Sequence, residues 1–267
     1  MGVKYSSNEK FFDRWGREMA YVLGFMFADG SLEDAPYLRG KYVRVSSTDK
    51  DRVVAIKSLL NSDHTIVRRD TGKNHKTAYL LRIGSHTLFN RLNNLGVTPH
   101  KSLTMQFPKM PLEYLSDFVR GYFDGDGCVY IDRGPNGQPK RLLCVFTSGS
   151  KSFLQDLHAH LVSRIGIVGT GLYPHGSTCG AYQLRYSTRD SLRLFQFMYK
   201  GPTSKELHLR RKYDIFTWYL RKRNLSAKEI SSVLRQNGPV AKKQRDGLQN
   251  RYARVRIPPG PQKYEKV

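Results

Sequence analysis

Two nine-residue segments of this chain are near-copies. Val22-Leu23-Gly24-Phe25-Met26-Phe27-Ala28-Asp29-Gly30 is matched by Val119-Arg120-Gly121-Tyr122-Phe123-Asp124-Gly125-Asp126-Gly127. Each is an apolar run with glycine third, a small residue seventh and Asp-Gly at its end, and the two Asp-Gly pairs stand 97 residues apart. A duplication of this kind forces two similar subdomains and offers one carboxylate from each. Small residues four apart leave a flat stripe on which two helices can approach backbone to backbone. Glycine inside a helix costs about 1 kcal/mol relative to alanine. Gly24 and Gly121 therefore need a packing reason, and pairing of the two motif helices supplies it. Their C-terminal ends would then meet, with Asp29 beside Asp126. Two close carboxylates at negative helix ends repel unless a cation is present. Hard oxygen ligands suit Mg²⁺, with Mn²⁺ or Ca²⁺ able to take its place.

The duplication extends well past the motifs. Val45 to Lys50 matches Phe146 to Lys151 at an offset of 101, and Ala78 to Arg82 matches Ala181 to Arg185 at 103. Lys101 matches Lys205 at 104. The drifting offset is that of small loop insertions. Three segments follow: 1–108, 109–211 and a remainder, 212–267. Each half predicts helix–strand–strand–helix–strand–strand–helix, an α+β αββαββα unit. Its first helix runs over about 13–28 or 111–125 and ends at the Asp-Gly. Strands are expected at 31–38, 41–48, 64–69 and 78–84, then 128–133, 141–148, 168–174 and 181–187. The remaining helices are expected near 50–61 and 86–94, then 151–164 and 190–199.

Strand alternation divides each sheet into two faces. Val43, Val45, Tyr79, Leu81, Ile83, Val129, Ile131, Tyr182, Leu184 and Tyr186 form the side that packs on helices. Arg44, Ser46, Arg82, Tyr130, Asp132, Gln183 and Arg185 form the other, able to meet base edges and phosphates. Arg39, Lys41, Arg68, Lys76, Lys140 and Arg141 add basic charge in and around the turns. The chain carries a net charge of +23 over 267 residues, which points to a polyanionic partner. The segment 212–267 alone holds 14 Lys/Arg against 4 Asp/Glu. It predicts a basic helical extension, with an amphipathic stretch at 225–234 and a second helix at about 240–253, lying along a nucleic-acid backbone. Cys128, Cys144 and Cys179 have neither the number nor the spacing of a disulfide framework or a zinc site. No apolar run approaches the length of a membrane span, and residues 1–17 lack the apolar core of a signal peptide. An intracellular setting is expected, whether a prokaryotic cytoplasm and nucleoid or an organelle matrix.

The motif pair resembles that of the LAGLIDADG homing endonucleases in their single-chain, two-motif form, and the resemblance covers about 11–211. It implies two αββαββα repeats about a pseudo-twofold axis, with sheets forming a saddle on double-stranded DNA. It implies a monomeric, divalent-metal-dependent enzyme that cuts both strands of a long target and leaves short 3′ overhangs. By position, Asp29 and Asp126 are the catalytic acids, Ala28 and Gly125 complete the metal set, and Lys101 and Lys205 are the basic residues beside the two centres. The sixth motif position departs: it is Phe27 in one copy and Asp124 in the other, and Asp124 should point away from the metal. The polar residue that often follows the second strand is Thr48 in one half and Gly149 in the other. Unequal active centres and a non-palindromic target are expected. A binder on the same fold that does not cut, such as an intron RNA maturase or a transcription regulator, is the alternative. The chain ends lack the residues of a self-splicing element, so a free-standing, intron-encoded enzyme is expected.

Overall fold

The computed structural model describes residues 5–38, 40–70, 77–99, 101–169, 171–175, 180–201 and 207–224. Arg39, Lys76, Lys205, Cys179 and the helices expected beyond 225 lie outside these residues. The compact unit ends at Ser226.

Helix α1 spans Arg17–Asp29, followed by β1 (Gly30–Ala35), β2 (Gly40–Ser47), α2 (Lys50–Leu59), β3 (Ile66–Arg69), β4 (Ala78–Gly84) and α3 (His86–Asn94). The order then repeats: α4 (Leu115–Asp126), β5 (Gly127–Arg133), β6 (Pro139–Ser148), α5 (Lys151–Ile165), β7 (Leu172–His175), β8 (Ala181–Tyr186) and α6 (Thr188–Tyr199). Helix α7 (Arg210–Lys222) closes the described chain. The αββαββα unit thus occurs twice, as the repeat implies. Its antiparallel sheets have the equivalent orders β1-β2-β4-β3 and β5-β6-β8-β7.

Alternation sets the faces. Val43, Val45, Leu81, Ile83, Leu142, Cys144, Phe146, Leu184 and Tyr186 are buried against the helices. Arg44, Ser46, Arg82, Tyr130 and Arg185 keep solvent contact on the opposite faces. Ser85 and Ser150 cap α3 and α5 by accepting from Leu88 N (3.1 Å) and Phe153 N (3.3 Å), which satisfies donors that a helix start leaves open. Gly166 ends α5 in the left-handed region at φ 65°, where glycine carries no steric penalty.

The segment expected as an extension from 212 begins inside α7. Lys212, Phe216 and Tyr219 of that helix are buried, the last two in the hydrophobic core. Cys128 and Cys144 are free thiols. No helix among the described residues is long and apolar enough to cross a membrane.

Candidate active site and nucleic-acid interface

The motif helices α1 and α4 pack on each other through their glycines. A methyl group on Gly24 would collide with Phe118 O and lie 2.9 Å from Tyr122 N; one on Gly121 would collide with Tyr21 O and lie 3.0 Å from Phe25 N. The same clash recurs on both sides, as a twofold relation requires. The crossing delivers the helix ends as predicted. Asp29 is the last residue of α1 and Asp126 the last of α4. A methyl group on Gly125 would run into Ala28 Cβ and stand 3.4 Å from Asp29 Oδ2. Glycine at 125 therefore leaves room for the Ala28 methyl group of the opposite helix.

Burial raises the Asp29 carboxyl to about 6, and the neighbouring Asp126 adds to the rise. Burial also pushes Asp126 up, against the pull of Lys101 and Lys212. Two neighbouring carboxyls that stay raised although Lys101 and Lys212 stand beside them are disfavoured as a pair of anions, and their oxygen ligands fit a hard divalent cation. No group of three or more His, Cys, Asp or Glu side chains gathers for a metal among the described residues. Main-chain oxygens, water and ligand oxygens would have to complete the coordination.

Two lysines hold the helix ends. Lys101 Nζ donates to Ala28 O (3.3 Å) and Gly30 O (2.8 Å). Lys212 Nζ donates to Gly125 O (3.4 Å) and Gly127 O (2.5 Å), the same two positions in the second motif, and also to Phe123 O (2.6 Å) and Asp124 O (2.8 Å). Cations there answer the carbonyl-rich, negative helix ends. Burial lowers both ammonium groups, Lys212 to about 8. Lys212 is the structural counterpart of Lys101 among the described residues, and the sequence comparison missed it. Lys205 shares the local context of Lys101, whereas Lys212 reaches its place only through the fold.

Asp124 faces away from Asp29. Its Oδ2 accepts from Tyr21 Oη (2.8 Å) and Leu209 N (2.9 Å), and burial lifts its carboxyl to about 6. Nearby, Arg120 is fully buried, donating to Leu207 O, Met198 O and Asp117 Oδ1. The equivalent positions of α1, Ala20, Leu23 and Phe27, are buried and apolar. The asymmetry reaches the strand ends. At Gly149 a methyl group would strike Ser102 O, so linker backbone fills that space, while Thr48 is exposed. Asp49, next to Thr48, accepts from Arg211 Nη2 (3.0 Å) and Nε (3.2 Å), a pair for which Ser150 offers no equivalent.

The outward faces gather most of the residues expected to meet DNA. Arg44 lies opposite Arg82, Ser46 opposite Leu80, and Asp132 opposite Arg141. Tyr130 is 43% exposed, Lys140 is exposed, and Arg68 pairs with Asp70 at 3.3 Å. Lys41 instead turns to the helical side, donating to Asn90 Oδ1 (3.3 Å) and lying over the Phe89 ring (4.8 Å).

Residues 113–198 match the family model of the LAGLIDADG-like domain. The chain is similar in fold to the LAGLIDADG homing endonuclease I-GzeII, solved in complex with a DNA target. The match has 13% identity and a TM-score of 0.50 and covers 84% of this chain and 99% of that one. Two archaeal proteins share a segment with it. One of the A-type ATP synthase proteins of Methanopyrus kandleri is 30% identical over 125 residues, 47% of this chain and 11% of that protein. A "Probable translation initiation factor IF-2" of Thermococcus kodakarensis is 29% identical over 156 residues, 55% of this chain and 12% of that protein. The chain thus spans about a tenth of the length of the curated relatives it matches.

Proposed function

We propose that this chain, a LAGLIDADG-domain protein with the doubled fold of the LAGLIDADG endonucleases, is a site-specific homing endonuclease making a divalent-metal-dependent double-strand break. The observation that carries the reading is the pair Asp29–Asp126, one carboxylate per repeat, at the ends of two helices packed glycine to glycine. An ATP synthase component and a translation factor have no activity in common. The stretch each shares with this chain is therefore separable from what either does, as a mobile endonuclease domain would be. Both motifs lie in one compact unit of one chain, which supports action as a monomer on a long, non-palindromic duplex. Intron encoding, 3′ overhangs and an intracellular setting belong to the same proposal.

Asp29 and Asp126, with the main-chain oxygens of Ala28 and Gly125, would hold the divalent metal. When bound it supplies water activation and charge stabilisation at the leaving oxygen. Asp29 must be ionised for this, so protons compete with the metal for a carboxyl that burial raises to about 6. Lys101 and Lys212 keep positive charge beside the two carboxylates, where the extra negative charge of a phosphodiester transition state would develop. The outward sheet faces, carrying Arg44, Ser46, Arg68, Arg82, Tyr130, Lys140, Arg141, Gln183 and Arg185, would read and clamp the duplex; Arg39, Lys41, Lys76 and Lys205 would add charge around it.

Cleavage selection from a randomised duplex library with and without Mg²⁺ tests this. Asp29→Asn and Asp126→Asn should each abolish double-strand cleavage and leave binding within a few-fold. Persistent Mg²⁺-dependent cutting by both variants would sink the metal assignment. Binding without cleavage by the unaltered chain would favour the non-cleaving alternative.

A further inference from the structure

Three arginines on the outward sheet faces are gripped along the same edge. Arg82 donates from Nε to Glu33 Oε2 (3.1 Å) and from Nη2 to Glu33 Oε1 (2.9 Å). Arg141 donates from Nε (2.9 Å) and Nη2 (2.7 Å) to Asp132 Oδ2. Arg185 donates from Nε (3.0 Å) and Nη2 (2.7 Å) to Gln183 Oε1. Two are also fixed in plane, Arg82 at 3.4 Å over Tyr42 and Arg185 at 5.3 Å over Tyr173. In each, the side edge of the guanidinium is committed. In Arg141 and Arg185 the far end, Nη1 with the outer proton of Nη2, has no hydrogen-bond partner among the described residues; Arg82 is held in addition by the side chain of Tyr42.

The anchors themselves argue against phosphate clamping. Glu33 and Asp132 put negative charge on a face meant for a polyanion, which weakens any phosphate contact nearby. Their presence is explained if orientation matters more than charge. A fixed guanidinium end offers two parallel donors. Guanine alone presents two adjacent acceptors, O6 and N7, in the major groove; adenine pairs one acceptor with a donor, and thymine pairs one acceptor with a methyl group.

We propose that Arg82, Arg141 and Arg185 read guanine, so that the target has a guanine at mirrored positions in its two halves and a further outer guanine in one. The inference rests on the DNA-cleaving reading above and names its substrate more closely. The mirror follows from register. Arg82 stands on the rung Ser31–Arg44–Arg82, and Arg185 on the rung Cys128–Val145–Arg185. These rungs correspond residue for residue across the repeat. Arg141 stands opposite Asp132, nearer the outer end of its sheet. The corresponding rung of the first sheet is Ala35–Gly40, which has no side chain capable of reading a base. One half of the target therefore carries one such guanine and the other carries two.

The test is selection by binding from a randomised duplex library in EDTA, followed by competition titrations with Arg82→Lys, Arg141→Lys, Arg185→Lys and Glu33→Gln. Lysine keeps the charge and loses the paired donors. Each arginine variant should lose preference for guanine at one position only, by about ten- to a hundredfold. Glu33→Gln should relax the Arg82 position and leave the Arg185 position intact. Selected sites without mirrored guanines would overturn the proposal, as would variants that weaken all sequences equally. A chain that enriches no sequence would overturn the endonuclease reading itself. A circular dichroism melt on each variant separates these outcomes from misfolding.

Discussion

Replacing Gly121 with alanine adds a single methyl group at the closest approach of the two motif helices. In isolation the change should help, since alanine is favoured over glycine inside a helix by about 1 kcal/mol. Here the methyl group meets the Tyr21 carbonyl and lies 3.0 Å from Phe25 N. Both are helix backbone, which cannot swing aside as a side chain would. Overpacking of a tight core typically costs about 1–3 kcal/mol, and a backbone obstacle puts the cost at the upper end. The net expectation is a loss of about 2 kcal/mol, or a fall in Tm of about 4–8 °C for a unit of this size. Activity should fall further than stability. The methyl group relaxes the clash by pushing the helices apart, which separates Asp29 from Asp126, and a displacement of about 1 Å can cost roughly a hundredfold in rate. Gly24→Ala should behave alike, and the double variant should lose less than the sum because both methyl groups open the same crossing. Urea titration and differential scanning calorimetry measure the first effect, and single-turnover cleavage the second. If Gly121→Ala were as stable as the parent and cut normally, the helices would not be in backbone contact and the paired-carboxylate argument would lose its footing.

Four further expectations follow from the site. The raised carboxyls of Asp29 and Asp124, both near 6, bind protons in the folded state that the unfolded chain, with carboxyl pKa values near 4, releases. Their contribution is fully present below pH about 4 and lost as pH climbs through 6, so in EDTA these groups lower Tm between pH 5 and 7. Mg²⁺ should restore stability at pH 7, and Asp29→Asn should shrink both effects, leaving the share of Asp124 in the pH slope; an unchanged pH slope in that variant would refute the coupling. Lys101→Met and Lys212→Met should each slow cleavage by about a hundredfold, the scale for losing a charge-stabilising donor, and strand-resolved gels should show unequal effects on the two strands. Arg120→Met should destabilise the fold by about 3–5 kcal/mol, because Asp117 is left buried against fewer partners; calorimetry checks this. A chain ending at 226 should keep the parent melting temperature, whereas one ending at 211 loses Lys212, Phe216 and Tyr219 and should fail to fold or melt far earlier.

Much of this is legible in the sequence. The repeat fixed the element order because strand alternation and helical spacing survive duplication, and the glycines at 24 and 121 foretold a close helix pair. Asp29 and Asp126 were visible because their position is tied to the helix ends. Lys212 was hidden for the opposite reason. Its partners are four main-chain oxygens on and just past α4, and no local pattern records a contact made across 85–89 residues. The charges of α7 mask its buried spacing Lys212, Phe216, Tyr219, so the sequence alone points to a basic tail there. The turn of Lys41 toward the helices also failed to appear from charge alone; its even spacing with Val43 and Val45 places it on that side. Asp117 and Arg120 carry charge into the interior of the second half, where the fold buries them fully and pairs them.

The stretch joining the two halves bears on how such a chain could be recombined. Ser150 Oγ donates to Met105 O (2.6 Å), Gln106 Nε2 donates to Ser152 Oγ (3.3 Å), and the Phe107 ring packs on Phe118, Phe153 and His160. The connector is thus seated on the second half, although its Lys101 serves the first motif. At the other end, Arg211 reaches back to Asp49 while its neighbour Lys212 holds α4. A chimaera that exchanges halves with a relative at residue 108 would cut through one of these embraces and orphan the other. Viable seams would have to carry 101–110 with the host of α5, and 207–222 with the host of α4. Through these two short stretches, the halves of the chain can be replaced only together with the straps that bind them.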